Sequence, residues 1–149
     1  MKSLYQAEAV NEVIGRINTL EPTSQRQWGK MEVAQMLAHC SAALEVAAGH
    51  KFPPRMFIGR IIGLFLKPAF SNDQPFNKNG PTDKSYIVAD NLDFLQEKER
   101  LIDLIKQFSQ GGPMKCTTQP HSFFGRLTPE EWSKGMYKHL DHHLKQFQA

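Results

Sequence analysis

Apolar residues recur every three or four positions in four long stretches of the chain, and this spacing predicts four amphipathic helices. The stretches span residues 3–20, 30–48, 91–109 and 128–147. No stretch of any length alternates between apolar and polar residues as a half-buried β-strand would. The pattern therefore indicates an all-α protein, a four-helix bundle that forms a single domain over residues 1–149.

A long crossover separates the second and third helices and contains one extra short helix. Residues 56–66 are apolar and stop before Pro68, and the favoured interpretation is a core or lid helix. Two glycines and the high apolar content leave open a dimer face or the wall of a substrate pocket. Residues 71–90 are rich in Asn, Asp, Pro and Gly and are predicted to form a loop, after which Asp90 or Asn91 caps the third helix.

The last helix has the clearest start signal in the chain. Thr128 is suited to the N-cap position, Pro129 to the first helical position, and Glu131 to the position that completes a capping box. No proline interrupts the sequence that follows, so the helix is predicted to reach Phe147.

Three histidines lie within five residues of this last helix. His139 and His143 are four apart, which places their imidazoles on one face with Cβ atoms about 5–6 Å apart. Both lie at the margin of the apolar arc, as His39 does on the second helix, whereas His142 points outward or supports the others. Three histidine ligands would leave a fourth position for water or substrate, as in catalytic zinc sites. Nitrogen donors favour zinc, nickel or iron over magnesium or calcium.

Three further polar residues are candidates for supporting roles. Gln146 lies on the His139 side of its helix and could hydrogen-bond a ligand or a substrate, and Glu32 shares the side of His39 and could act as a general base. His121, in the loop before the last helix, is a candidate lid contact. The alternative is that the histidines are hydrogen-bonded structural residues, with a structural metal or none, in a non-catalytic binding or dimerising module.

Composition excludes several classes of function. The formal net charge is +3, and the basic residues are scattered rather than gathered with aromatic residues into a stripe, so nucleic-acid binding has little support. The longest apolar run is too short to span a bilayer. Two cysteines without a CxxC motif, and no secretory signal at the start, favour a reduced, cytoplasmic setting. A homodimer stays open.

Two segments of the chain carry a resemblance to a known group. Residues 28–49, WGKMEVAQMLAHCSAALEVAAG, and residues 121–147, HSFFGRLTPEEWSKGMYKHLDHHLKQF, resemble the DinB/YfiT-like superfamily of metal-dependent enzymes. More narrowly, they resemble an uncharacterised domain-of-unknown-function branch of it. The superfamily pattern is a histidine in the second long helix followed by His-x3-His-x2-Gln on the last helix. The matching residues here are His39, His139, His143 and Gln146.

This resemblance implies a four-helix bundle with a metal, often zinc or nickel, near one end. Known activities of the superfamily are thiol-dependent transfers and isomerisations, and metal-dependent hydrolysis. The expected function is therefore a divalent-metal-dependent transferase or hydrolase that acts on a small molecule, with a low-molecular-weight thiol as a candidate cofactor. Leu144 and Lys145 replace an arginine and a glycine that often precede the glutamine of the motif, which leaves the subfamily chemistry open.

Overall fold

The chain is all-helical within the residues that the computed structural model describes, 1–81 and 91–149, where six α-helices and no strand are found. This confirms the all-α prediction. No helix in these ranges is both long enough and apolar enough to cross a membrane. In chain order the helices are α1 Ala7–Thr19, α2 Val33–Ala47, α3 Phe57–Leu66, α4 Pro68–Ser71, α5 Phe94–Gly111 and α6 Pro129–Gln146.

The four long helices, α1, α2, α5 and α6, form a closed ring. Helix α2 packs against α5 and α6, and α1 packs against the same two helices, so α1 lies diagonally opposite α2. The apolar faces expected from the sequence meet between them and bury the largest side chains of the core. These include Leu4, Val13, Ile17, Met36, Leu37, Cys40, Leu44, Leu101, Ile105, Trp132, Leu140 and Leu144.

Helix α6 begins as its sequence predicts. The Thr128 hydroxyl accepts a hydrogen bond from the Glu131 amide at 3.1 Å, and the Glu131 carboxylate accepts one from the Thr128 amide at 2.7 Å. Pro129 occupies the first turn, where its missing N–H has no intrahelical partner to lose. The helix ends at Gln146, one residue before the expected Phe147.

Three helices begin later than predicted, and α2 is one of them, since it begins at Val33 rather than at residue 30. Helix α5 begins at Phe94 because the Asp93 carboxylate caps it, accepting from the Gln96 amide at 2.8 Å. A cap on Asn91 is therefore wrong, and Asp90 lies outside the described residues. Helix α1 begins at Ala7 rather than at residue 3, because residues 3–6 form a turn before it.

Helix α3 is not the core helix that its apolar sequence suggested. Its buried residues are Gly59 and Gly63, which lie against the backbone of Phe123 in the segment before α6. A Cβ atom at Gly59 would come within 2.5 Å of the Phe123 carbonyl oxygen, and one at Gly63 would come closer still. The glycines thus allow a close helix-to-backbone approach, and the large apolar side chains of α3 face away from the core.

Helix α4 is anchored to α6 by one aromatic side chain. The Phe70 ring is buried and lies directly over Gly135, where a side chain would overlap it. Its ring centroid is 5.0 Å from that of Phe124 and 6.0 Å from that of Trp132. The Lys138 ammonium adds a polar tie by donating to the Ala69 carbonyl at 2.6 Å. These contacts fix the crossover on the part of α6 that precedes His139.

Alanine at Gly135 and alanine at Gly15 are expected to change stability in opposite directions. Overpacking against the enclosed Phe70 ring should lower the free energy of unfolding of Gly135→Ala by about 1–3 kcal/mol. Gly15 lies on the exposed face of α1 with no atom within 4 Å of a built Cβ. Gly15→Ala should therefore stabilise by about 0.4–1 kcal/mol through the unfolded state. Urea unfolding of both variants checks this, and a stabilised Gly135→Ala would contradict the described packing.

Candidate metal centre

Three histidine side chains from two helices meet between α2 and α6. The ring centroid of His39 is 4.9 Å from that of His139 and 4.7 Å from that of His143, and the last two are 4.6 Å apart. One nitrogen of each ring lies within 4.8 Å of the other two. The helical spacing of four brings His139 and His143 together, and the direct packing of α2 on α6 adds His39.

The surroundings keep two of these imidazoles, those of His139 and His143, neutral. His39 and His143 are buried and His139 is partly exposed. Burial, together with the charge that neighbouring histidines would carry, holds the pKa of His139 well below its ordinary value. Burial also lowers the pKa of His143, to about 3. At neutral pH both rings therefore offer a nitrogen lone pair, the form in which histidine binds a metal.

The spacing of one nitrogen pair in the group is close to the spacing that a tetrahedral metal requires. Nε2 of His39 lies 2.9 Å from Nε2 of His139. A tetrahedral ion at about 2.0–2.1 Å from each nitrogen would hold them about 3.3–3.4 Å apart. A change of a few tenths of an ångström, within the range of side-chain rotation, converts the spacing of this pair into that of a metal site, and the His143 nitrogen lies within 4.8 Å of both. The donor set therefore fits zinc, nickel or iron.

Gln146 fixes the orientation of His143. Its side-chain Nε2 donates to the Trp28 carbonyl at 2.7 Å, and a carbonyl can only accept. The Gln146 Oε1 atom consequently faces Nδ1 of His143 at 2.9 Å, and this nitrogen must be the donor. The proton on Nδ1 leaves the Nε2 lone pair of His143 free for a metal. Such outer hydrogen bonds commonly orient metal ligands.

The loop that carries Trp28 is held against Gln146 at two further points. The Gln27 amide donates to the Gln146 carbonyl at 2.7 Å. Gly29 has φ +77°, and a Cβ there would lie 2.7 Å from the side-chain Nε2 atom of Gln146. Only glycine adopts this positive φ without strain and leaves room for the Gln146 side chain. The loop between α1 and α2 is thereby connected to the orientation of His143.

His142 lies beside the three-histidine group rather than in it. Its ring centroid is 5.1 Å from that of His143, 5.5 Å from Trp28 and 6.0 Å from Phe76. Burial lowers its pKa. The Lys78 ammonium lies 4.5 Å from the centre of the Trp28 ring, in a cation–π contact. The rings of His142, Trp28 and Phe76, together with the Lys78 cation, form a rim next to the three-histidine group.

The structure places Glu32 at the start of α2. It is the N-cap residue and forms a capping box with Gln35, whose side-chain oxygen accepts from the Glu32 amide at 2.9 Å. The carboxylate pairs with the Arg26 guanidinium at 2.6 Å and is 65% exposed. These contacts account for Glu32 in structural terms, and its role as a general base stays a prediction.

His121 has a structural environment in the segment before α6. Its Nδ1 atom accepts from the backbone amides of Phe123 and Phe124 at 3.0 and 3.2 Å, so it shapes the turn on which α3 rests. The ring also lies 5.3 Å from both Phe70 and Trp132. It belongs to the aromatic cluster that anchors α4, and its role as a lid contact stays a prediction.

Several residues of this region carry no motif in the sequence. Trp28 is the only large apolar residue in the polar link between the first two helices. This isolated position was the one feature of the sequence that singled it out. The contacts of Gln27, Gly29 and Phe76 had no signal at all. Two surface cavities, of about 370 and 210 Å³, lie elsewhere and are not lined by the histidine group.

A comparison of the chain with protein-family models finds a match. The model of a family described as protein of unknown function (DUF1569) matches residues 2–149. No curated protein and no solved structure matches the chain.

Proposed function

The chain belongs to the DUF1569 family of proteins of unknown function, and we propose that it is a divalent-metal-dependent enzyme of the hydrolase or thiol-dependent transferase type. The proposed ligands are His39, His139 and His143. The observation that carries this proposal is the group of three ring nitrogens within 4.8 Å of one another. The hydrogen bond from His143 to Gln146 supports it, because it presents the correct nitrogen to a metal.

A metal held by three protein ligands keeps a fourth position, where it can lower the pKa of a bound water or hold a substrate thiolate. Zinc, nickel or iron suits the nitrogen donors. The chain's own residues supply the rest of the site. Gln146 holds His143 in one tautomer, and the rim of Trp28, Phe76 and His142 excludes bulk water from one side. Glu32 would act as a base only after release from Arg26.

The resemblance to the DinB/YfiT-like superfamily supports the same proposal. The ring of α1, α5, α2 and α6 is compatible with the four-helix bundle of that group. The histidines lie between α2 and α6, on the second and last long helices, as the resemblance implies. We therefore propose a small-molecule substrate and a low-molecular-weight thiol as co-substrate for the transferase alternative.

Titration of the metal-free protein with Co²⁺ is the first test. We expect saturation at about one equivalent per chain, with the visible absorption of a four-coordinate ion, and its displacement by Zn²⁺. The loaded and metal-free proteins are then compared on activated esters and amides, and on transfer of a small thiol to a chlorinated aromatic probe. Absence of binding would overturn the metal site. Stoichiometric binding without activity on any probe would favour the non-catalytic binding module.

A further inference from the structure

Seven of the eleven large apolar side chains that are exposed in the described chain belong to α3. Phe57, Leu64 and Phe65 are 78%, 71% and 83% exposed. The other large apolar residues on this helix are also open to solvent, namely Ile58, Ile61, Ile62 and Leu66. Isolated exposed apolar residues are ordinary on protein surfaces, but a contiguous group of seven on one short helix is not.

This face cannot turn inward against its own chain. Gly59 and Gly63 hold the opposite side of α3 in contact with the Phe123 backbone, where no side chain fits. At about 100° per residue, Ile61 lies directly opposite the two glycines. Phe57, Leu64 and Phe65 fall within about 60° of Ile61. The glycine packing therefore presents a defined apolar face outward.

The area of the face matches that of a protein interface. The two phenylalanines present about 300 Å² if each fully exposed ring offers about 200 Å². Ile58, Ile61 and Leu64 lie on the same side of the helix and bring the total to roughly 600 Å², whereas Ile62 and Leu66 lie farther round it. A stable interface buries about 800 Å² per partner, of which about 65% is apolar in homodimers, so the face supplies the apolar area that such an interface needs.

The charges around the face favour a protein partner over an anionic lipid surface. Lys67 pairs with Glu131 at 3.0 Å, and Lys51 pairs with Glu45. The Arg55 guanidinium donates to the His121 carbonyl at 2.6 Å. Of the four cations in residues 46–72, Arg60 alone has no such partner. One available cation gives little attraction to anionic lipids, which act through clusters of lysine and arginine.

We propose that α3 is the interface of a homodimer, in which a second copy of the chain covers the same face. A two-fold axis close to Ile61 brings the apolar faces together and leaves Arg60, about 100° from Ile61, on the solvated rim. The dimer would also stabilise the crossover, because α3 packs on the segment that carries His121, and α3 itself leads directly into α4. This interface is separate from the proposed metal site and does not depend on it.

Sedimentation velocity of the wild type and of Ile61→Glu tests the proposal. We expect the wild type to sediment at twice the 17.0 kDa mass of the chain, and the variant at the monomer mass across a wide range of concentration. Leu95→Glu is the matched control, because Leu95 is an exposed apolar residue on α5. It should remain dimeric. A monomeric wild type, or a dimeric Ile61→Glu that retains wild-type circular dichroism, would overturn the proposal.

A cysteine cross-link gives a second measurement that does not depend on charge insertion. The native Cys40 and Cys116 are buried and free. Ile61→Cys should form a disulfide-linked dimer on copper–phenanthroline oxidation at low protein concentration, and Leu95→Cys should not. Equal cross-linking of both would overturn the proposal. So would a monomeric wild type that floats with vesicles of phosphatidylglycerol, since the occupant would then be lipid.

Discussion

Alanine at His139 is expected to abolish stoichiometric metal binding and leave the fold intact. Its Nε2 atom lies 2.9 Å from Nε2 of His39, so it is central to the proposed ligand set. Its partial exposure means that truncation opens no large cavity. Loss of one of three protein ligands should weaken metal binding by at least about 1,000-fold, or about 4 kcal/mol. Elemental analysis of the tag-free variant measures the loss, and circular dichroism reports the fold.

His142→Ala is the matched control for this experiment. His142 is on the same helix, three residues from His139, and lies next to the group without belonging to it. The variant should keep about one equivalent of metal. The metal affinity of Gln146→Ala should lie between those of His139→Ala and His142→Ala, because loss of an outer hydrogen bond to a ligand weakens metal binding about 10–100-fold. Metal retained in His139→Ala, or lost in His142→Ala, would show that the assigned ligands are wrong.

Local sequence rules predicted the parts of the molecule that local physics determines. The α6 start depends on Thr128 and Glu131, which contact each other within one helical turn. The pairing of His139 with His143 follows from helical geometry. His39 could be added from its place at the margin of an apolar arc, because a residue at that margin lies beside the neighbouring helix when the apolar faces pack together.

Features that depend on contacts between distant segments could not be predicted in this way. The apolar residues of α3 were assigned to a core or lid, but the helix buries its two glycines because the Phe123 backbone approaches them. The orientation of the Gln146 side chain depends on the Trp28 carbonyl, which is far away in the sequence. The Phe70 contact with Gly135 likewise joins two elements whose docking has no local signal.

Acidification is expected to destabilise the metal-free protein well above the pH at which carboxylates titrate. An unfolded histidine has a pKa of about 6.5. In the fold, burial lowers the pKa of His143 to about 3 and lowers that of His139 in the same direction. Below pH 6.5 the unfolded chain therefore binds more protons than the folded one, and stability falls with pH. Stability that is fully present above about pH 6.5 is lost progressively toward pH 3.

The expected size of this effect allows a sharp test. His143, whose pKa falls to about 3, contributes up to about 1.4 kcal/mol per pH unit, so between pH 6.5 and 5 it alone removes up to about 2 kcal/mol, and His139 adds to the loss in the same direction. Urea unfolding of chelator-treated protein measures this slope. In His143→Leu the slope of unfolding free energy against pH should be smaller, whatever the stability of the variant, because it has one fewer buried titrating group. Saturating zinc should raise stability at pH 7 by up to about 4 kcal/mol at 1,000 times its Kd, since it binds the folded state in preference to the unfolded chain. Unfolding free energies that do not change between pH 7 and 5 without metal would contradict the buried, neutral state of the histidine group.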